Sequence, residues 1–447
     1  MSAPAAVLRP AASLRRRQLT VILLLFGGYA ACYFCRADLS VSTPLLIDEL
    51  ARRGVKHDEA IVHLGTIASL GVLAYAFGKL FLTGLGDYWG GRLNFLIGLA
   101  GAALFTALFA AGGILPVFTI AWMGNRLTQS VAWAGLIKTS SRWFDYSSYG
   151  TIIGILSISY LVGDAVARWA MGLLMAHGSG WRAIFYFAAA VAAAMLAANY
   201  LLLRESRTEL GFTEARTNPL NLFADRSSRP ASIRSLLGPL LRSRAFQLVC
   251  LLSLGCTIVR ESFNLWTPAY LHSYLGYVTS SAATVSAVFP AVGAVSVLVT
   301  GWLSDRLGVY GRSLVMFLGL GATTVSLLFL MSIHPDAAAT WLPVIVIGVI
   351  AFCLLGPYSY LGGAFALDFG GAQASAISSG IIDGVGYLGG VLSGNPLAEL
   401  SVRYGWQGVF VALAGVTALS ALAAGYLFLL SIRSSARLRP EAPSGGT

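Results

Sequence analysis

Arg36-Ala37-Asp38-Leu39-Ser40-Val41-Ser42-Thr43-Pro44 and Arg260-Glu261-Ser262-Phe263-Asn264-Leu265-Trp266-Thr267-Pro268 share one design: an arginine followed, seven residues on, by Thr-Pro. Each lies in a long apolar run, the first from Leu19 to Leu46 and the second from Phe246 to Leu271. A guanidinium keeps its proton, so placing one in a bilayer helix costs at least ~2.5–3.5 kcal/mol on insertion scales. A chain that carries this cost at matching places in its two halves is set up to bind an anion. The planar fork of arginine matches phosphate oxygens in a way that the point charge of lysine does not.

The rest of the composition places these arginines in a membrane. The chain has 447 residues, 57% hydrophobic and 11% charged, with mean hydropathy +0.74, whereas a soluble domain carries about 25% charged residues. Twelve apolar stretches recur, near 19–47, 61–84, 93–112, 115–137, 149–174, 182–203, 245–271, 279–303, 313–332, 341–366, 373–398 and 407–431. Each is long enough for a ~30 Å hydrocarbon core. The 50 glycines suit helices whose backbones approach closely. The first run is too long for a signal-peptide core, so it reads as span one.

The net charge of +11 follows topology rather than nucleic acid. Arg9, Arg15, Arg16 and Arg17 precede the first span, Arg204 through Arg244 crowd the segment after the sixth, and Arg433, Arg437 and Arg439 follow the twelfth. The opposite loops are poor in basic residues apart from Arg52, Arg53 and Lys56. The positive-inside rule then puts both termini and the central segment in the cytosol. The five cysteines, Cys32, Cys35, Cys250, Cys256 and Cys353, all fall within spans and read as small packing residues. No histidine falls mid-span, and no P-loop, zinc-ligand spacing or hydrolytic triad is present. An enzyme, a cofactor and a metal site are therefore not expected, and energy must come from solute gradients.

The two halves repeat at an offset of roughly 220 residues. Arg36 matches Arg260, and Asp87 in Thr83–Arg92 matches Asp305 in Gly301–Gly308. Tyr160-Leu161-Val162-Gly163 matches Tyr387-Leu388-Gly389-Gly390, and Gly180-Trp181 matches Gly405-Trp406. The expected architecture is an all-α membrane protein of twelve transmembrane helices in two pseudo-symmetric six-helix bundles. It comprises a tail at 1–18, a bundle at 19–203, a cytosolic linker at 204–244, a bundle at 245–431 and a tail at 432–447. Parallel repeats of this kind place a substrate site near the midplane, between the halves.

The Gly-x-Leu-x-Asp-Arg-x-Gly run at 301–308 resembles the signature loop of the major facilitator superfamily. Gly28-Tyr29 through Arg36, Tyr75 through Lys79, and Arg260 through Leu271 resemble its organophosphate:phosphate antiporters. These comprise the glycerol-3-phosphate, hexose-phosphate and glucose-6-phosphate transporters. Arg126 through Trp133, with Arg142-Trp143-Phe144, resembles span four of the sugar-phosphate branch. The chain departs from the glycerol-phosphate branch in having Tyr160 at a histidine position and Ala134-Gly135 where two prolines are common. The resemblance implies an exchange of organic phosphate for inorganic phosphate and makes Lys79 a third cation near the cavity mouth.

Helical spacing puts Cys32, Tyr33, Ser40 and Thr43 on the face of Arg36, and Cys256, Thr257, Asn264 and Thr267 on that of Arg260. Two such stripes facing one cavity would offer two cationic forks and a ring of polar groups. Purely structural pairs, Arg36 with Asp38 or Arg260 with Glu261, are awkward, because neighbours at i+2 and i+1 project from other faces of a helix. Candidate substrate contacts are thus Arg36, Arg260, Lys79, Tyr33, Trp133, Tyr160, Asn264 and Asp383. Asp164 and Arg168 have the spacing of an internal ion pair. Arg126 is a candidate brace or gate, and Asp87, Asp305 and Arg306 are gate candidates at cytosolic turns. The expected protein is a monomeric carrier in a bacterial inner membrane, with small anionic substrates, lipid neighbours and no nucleic acid. Two alternatives stand: proton-linked transport of another organic anion, through Asp38, Asp164, Asp368 or Asp383, and a non-transporting sensor of hexose phosphate.

Overall fold

The computed structural model describes residues 11–82, 90–215, 238, 240–307, 311–334 and 341–437, with the side chains of 11, 12, 146–151, 305, 367, 368, 370–377 and 433–437 outside the description. The first half contains α1 (Ala11–Arg52), α2 (His57–Phe81), α3 (Gly91–Ala111), α4 (Leu115–Gln129), α5 (Ala132–Trp143), α6 (Tyr146–Ala176) and α7 (Trp181–Leu202). The second contains α8 (Arg244–Ala269), α9 (Thr279–Val285), α10 (Val288–Leu307), α11 (Gly311–Met331), α12 (Leu342–Tyr358), α13 (Ala366–Gly390) and α14 (Asn395–Arg437).

Among the described residues, ten helical segments are long and apolar enough to cross a membrane. Two local features account for the difference from the twelve stretches in the sequence. The stretch at 115–137 becomes α4 and α5, broken at Ser130 and Val131, so neither piece alone has the length. Ser130 donates its hydroxyl to Leu127 O at 2.6 Å, a side-chain bond that competes with the helical ladder. The last two stretches merge in one segment, Ser378–Ile432, but α14 is kinked at Gly405, where φ is +66°. At 1.5 Å per residue a straight helix of 43 residues would overshoot a ~30 Å core twofold. Gly405 instead turns the chain back, in a conformation that L-residues rarely adopt.

The packing repeats between the halves. In the first, α1 packs on α6 and α7, α2 on α4, and α3 on α4 and α7. In the second, α8 packs on α13 and α14, α10 on α12, and α11 on α12 and α14. The halves meet where α2 packs on α13 and α14, where α6 packs on α9 and α10, and where α1 packs on α8. Each bundle has its own core: an aromatic stack of Phe109, Phe118, Trp122, Trp181 and Phe185 in the first, and Phe246, Phe263, Met316 and Leu354 among others in the second. Leu23, Ile120, Leu201, Val325 and Leu419 are exposed, as an integral multi-pass membrane protein requires of its outer surface.

The segment after α7 is tied to the first bundle. The Glu205 carboxylate accepts from Gly91 N at 2.9 Å and Arg92 N at 2.7 Å, satisfying donors at the positive end of α3. Arg142 pairs with it at 2.9 Å, and Trp143 donates its indole N–H to Arg204 O. The expected linker residues 216–237 and 239, Asp87, and the tail beyond 437 lie outside the described residues.

Replacing Gly405 by alanine forces a Cβ into this backbone conformation and is expected to destabilise the protein by about 1–3 kcal/mol. Thermal unfolding of the purified protein in detergent would show a lower midpoint; an unchanged midpoint would contradict the role given to this kink.

Candidate functional site

Arg36 sits one residue past a local break in α1, where Cys35 has φ −79° and ψ 16°. A chain of buried amides holds its guanidinium. Thr106 Oγ1 accepts from Asn125 Nδ2 at 2.8 Å, Asn125 Oδ1 accepts from Gln129 Nε2 at 2.7 Å, and Gln129 Oε1 accepts from Arg36 Nε at 2.7 Å. One orientation of both amides satisfies every link, so α3 and α4 together fix the direction of an arginine on α1. The guanidinium lies 4.6 Å from the centroids of both Tyr33 and Tyr75, and Nη1 donates to Tyr33 Oη at 3.2 Å. Ring faces stabilise a cation without neutralising it, which leaves the charge available to an anion.

Arg260 is held in a related way. Its guanidinium lies 4.6 Å from the ring of Tyr358 and 5.5 Å from that of Tyr387, and Nη2 donates to Tyr387 Oη at 3.1 Å. Tyr387 in turn touches Tyr75 across the boundary between the halves, with centroids 4.7 Å apart. Arg36, Tyr75, Tyr387 and Arg260 therefore form one continuous line, and both arginines line a central cavity of about 60 Å³. Tyr33, Tyr160 and Asn264 line it too.

One arrangement differs from regular helical expectation. Arg260 pairs with Glu261 at 2.5 Å despite their adjacency. Their Cβ atoms diverge around α8, but both arms are long enough to converge in the cavity. Arg126 also lines the cavity, 5.0 Å from the ring of Tyr75 and 3.7 Å from Glu261 Oε2. Arg36 forms no such pair with Asp38, whose fully buried carboxylate accepts from Leu39 N at 2.7 Å. Arg36 Nη2, Arg126 Nε and Arg260 Nε are buried donors with no acceptor among the described residues.

Asp164 and Arg168 form their ion pair at 3.0 Å, and both line the cavity. Arg168 donates to Ser40 Oγ, to Ser286 Oγ at 3.2 Å and to Asn264 O at 2.6 Å, so one guanidinium from α6 reaches both halves. Also between the halves, Ser69 donates to Val391 O at 2.6 Å and accepts from Asn395 N, while Asn395 Nδ2 donates to Thr66 Oγ1 at 2.8 Å. Gly65 and Gly394 allow the contact: a Cβ on Gly65 would stand 2.6 Å from Ala398 Cβ.

The other candidates lie further out. Lys79 Nζ is 5.7 Å from the Tyr75 ring and has Asp383 as a charge partner. Asp383 borders Gly362 on the adjoining segment. Trp133 packs on Tyr29 at 5.1 Å. Arg306 is exposed and stacks on Trp302 at 4.2 Å. Asp305 lies in the last turn of α10, and its side chain, like that of Asp368, lies outside the described residues. The cysteines Cys32, Cys35, Cys250, Cys256 and Cys353 are free. Sequence spacing does not find Tyr75, Gln129 or the cavity role of Glu261. An intramembrane carboxylate is itself a functional signal, and that signal was available for Glu261.

Comparison with known proteins gives the family and the fold. The profile of the Major Facilitator Superfamily matches residues 25–394. The probable hexose phosphate transport protein of Chlamydia muridarum is 26% identical, over 87% of this chain and 86% of that protein. The glycerol-3-phosphate transporter of Bacillus subtilis is 23% identical over 90% of each chain. The membrane sensor protein UhpC of Escherichia coli is 25% identical over 90% of each. The crystal structure of a bacterial homolog of the human lysosomal transporter Spinster, inward-facing and unoccupied, superposes with a TM-score of 0.73 at 15% identity, covering 95% of this chain and 99% of that one.

The Asp164–Arg168 pair has side chains only 8% and 3% exposed. Asp164→Asn leaves Arg168 without its counter-ion and is expected to cost about 3–5 kcal/mol. A melting curve of the purified variant that matches the unsubstituted protein would contradict that.

Proposed function

The chain belongs to the Major Facilitator Superfamily, and from that premise we propose that it exchanges an organic phosphate, a sugar phosphate or glycerol phosphate, for inorganic phosphate by alternating access. The observation that carries this reading is the charge of the cavity lining. Among the described residues, four guanidinium groups line it, those of Arg36, Arg126, Arg168 and Arg260, with two carboxylates, those of Asp164 and Glu261. Two positive charges remain, and a phosphate monoester carries about −1.5 to −2 at neutral pH. A neutral sugar would leave both charges unmatched in low dielectric, and a carboxylate monoanion would leave one. The names of the relatives, a hexose phosphate transport protein and a glycerol-3-phosphate transporter, support the same substrate class.

The phosphate sits between Arg36 and Arg260, where unpartnered guanidinium donors await acceptors. The organic part faces the tyrosine rings and the polar groups at Ser40 and Asn264. Binding lowers the mutual repulsion of the cations, and this differential stabilisation lets the halves rock about the site. The arginine-rich tails and linker orient the protein with those segments in the cytosol of a bacterial cell, across the inner membrane. The bonds that Arg168, Ser69 and Asn395 make between the halves would then belong to the outer side, and turnover requires them to open while the cytosolic ends close. Asp87, Asp305 and Arg306 belong to that cytosolic gate.

Labelled phosphate uptake into proteoliposomes loaded with inorganic phosphate, glucose 6-phosphate or glycerol 3-phosphate tests the reading. Exchange is expected with at least one ester, independent of a proton gradient. Arg36→Lys and Arg260→Lys should each lower it on the order of 100-fold while the protein still folds, because a point charge replaces a fork. Wild-type exchange by either purified variant would overturn the site. A protein that binds hexose phosphate without moving it would instead be a sensor.

Topology has a separate test. A cysteine at Ser227, in a cysteine-free background, is expected to react only with a membrane-permeant thiol reagent. Efficient labelling from outside intact cells would reverse the orientation.

A further inference from the structure

A carrier can return empty only if its unloaded site can close. Guanidinium groups without a counter-charge resist that closure, because low dielectric magnifies the cost of an unpaired ion. In this protein a side chain already stands where a substrate anion would. Glu261 Oε1 lies 2.5 Å from Arg260 Nη2, and Glu261 Oε2 lies 3.7 Å from Arg126 Nη2. Arg126 comes from α4 in the first half, and Arg260 and Glu261 come from α8 in the second. One carboxylate therefore presents an oxygen to a guanidinium of each half, inside the cavity lining, with its side chain 13% exposed. A phosphate bridging the halves between Arg36 and Arg260 would make contacts of the same kind, with Arg260 in common, and here they are supplied by a group that never leaves.

We propose that Glu261 acts as a tethered stand-in for the substrate anion, so that the protein moves phosphate and its esters in net flux as well as in exchange. The proposal rests on the reading of the cavity as a phosphate site given above. With the cavity unloaded, Glu261 holds Arg260 and Arg126 together across the halves, and the site closes with a smaller unmatched charge. With a phosphate dianion bound, the lining and substrate together are neutral, and the phosphate competes with Glu261 for the Arg260 guanidinium. Removing the carboxylate charge has opposite effects on the two states. It adds one unmatched cation to the empty site and removes a like-charged competitor from the loaded one. Empty return should slow, and phosphate should bind more tightly.

The experiment compares two fluxes in the same proteoliposomes. Vesicles loaded with labelled inorganic phosphate are diluted into buffer with or without external phosphate, with potassium and valinomycin present to prevent charge build-up. The unsubstituted protein is expected to release label into phosphate-free buffer at a rate within about tenfold of its exchange rate. Glu261→Gln should lower the ratio of net efflux to exchange by at least about tenfold and tighten phosphate binding, while Glu261→Asp, which keeps the charge, should retain the higher ratio. Exchange by the unsubstituted protein with no efflux into phosphate-free buffer would overturn the proposal and leave the transport reading standing. An unchanged ratio in Glu261→Gln would overturn it as well. No exchange by the unsubstituted protein would overturn both. If Glu261→Gln does not fold, the comparison of net efflux with exchange in the unsubstituted protein decides the matter alone.

Discussion

Two guanidinium groups that keep their protons sit where water is scarce, and the interior is arranged around that charge. Neither Arg36 nor Arg126 is simply cancelled by an adjacent carboxylate. Tyrosine rings enclose Arg36 and Arg260, a run of buried amides aims Arg36, and Glu261 is shared between Arg260 and Arg126. Aromatic faces and neutral oxygens steady a cation while leaving its field available. The Tyr75–Tyr387 contact brings the two arginines to one cavity, because each ring also touches one of the guanidinium groups.

The same constraint shapes the boundary between the halves. Among the groups that join them are neutral hydroxyls, amides and carbonyls, together with the internally paired Arg168. Hydrogen bonds of this kind are worth about 0.5–1.5 kcal/mol each net of water, so a handful can be exchanged for others as an interface opens. Small residues at Gly65 and Gly394 let the helices touch without interlocking side chains that would have to be pulled apart.

Much of this was legible in the sequence for a plain reason. A buried arginine is costly and rare, so its recurrence with Thr-Pro at the same spacing stands out against any apolar background, and the repeat of helix packing follows from that repeat of sequence. Asp164 and Arg168 were legible from their one-turn spacing. Glu261 was not, because adjacency on a helix wheel argues against pairing and says nothing of how far two long arms can reach. Tyr75 was hidden among many aromatic residues, and its role depends on contact with Tyr387, more than 300 residues away. The division of span four and the turn at Gly405 are backbone events, a hydroxyl competing for a carbonyl and a positive φ, that hydropathy does not register.

The central claim is that Arg36 and Arg260 serve one anion rather than two. Equilibrium binding of labelled inorganic phosphate to the purified protein, taken through a double-mutant cycle of Arg36→Lys and Arg260→Lys, measures this directly. The account predicts one phosphate per chain and strong non-additivity, the second substitution costing much less once the first is made. Two phosphates per chain, or losses that simply add, would contradict it.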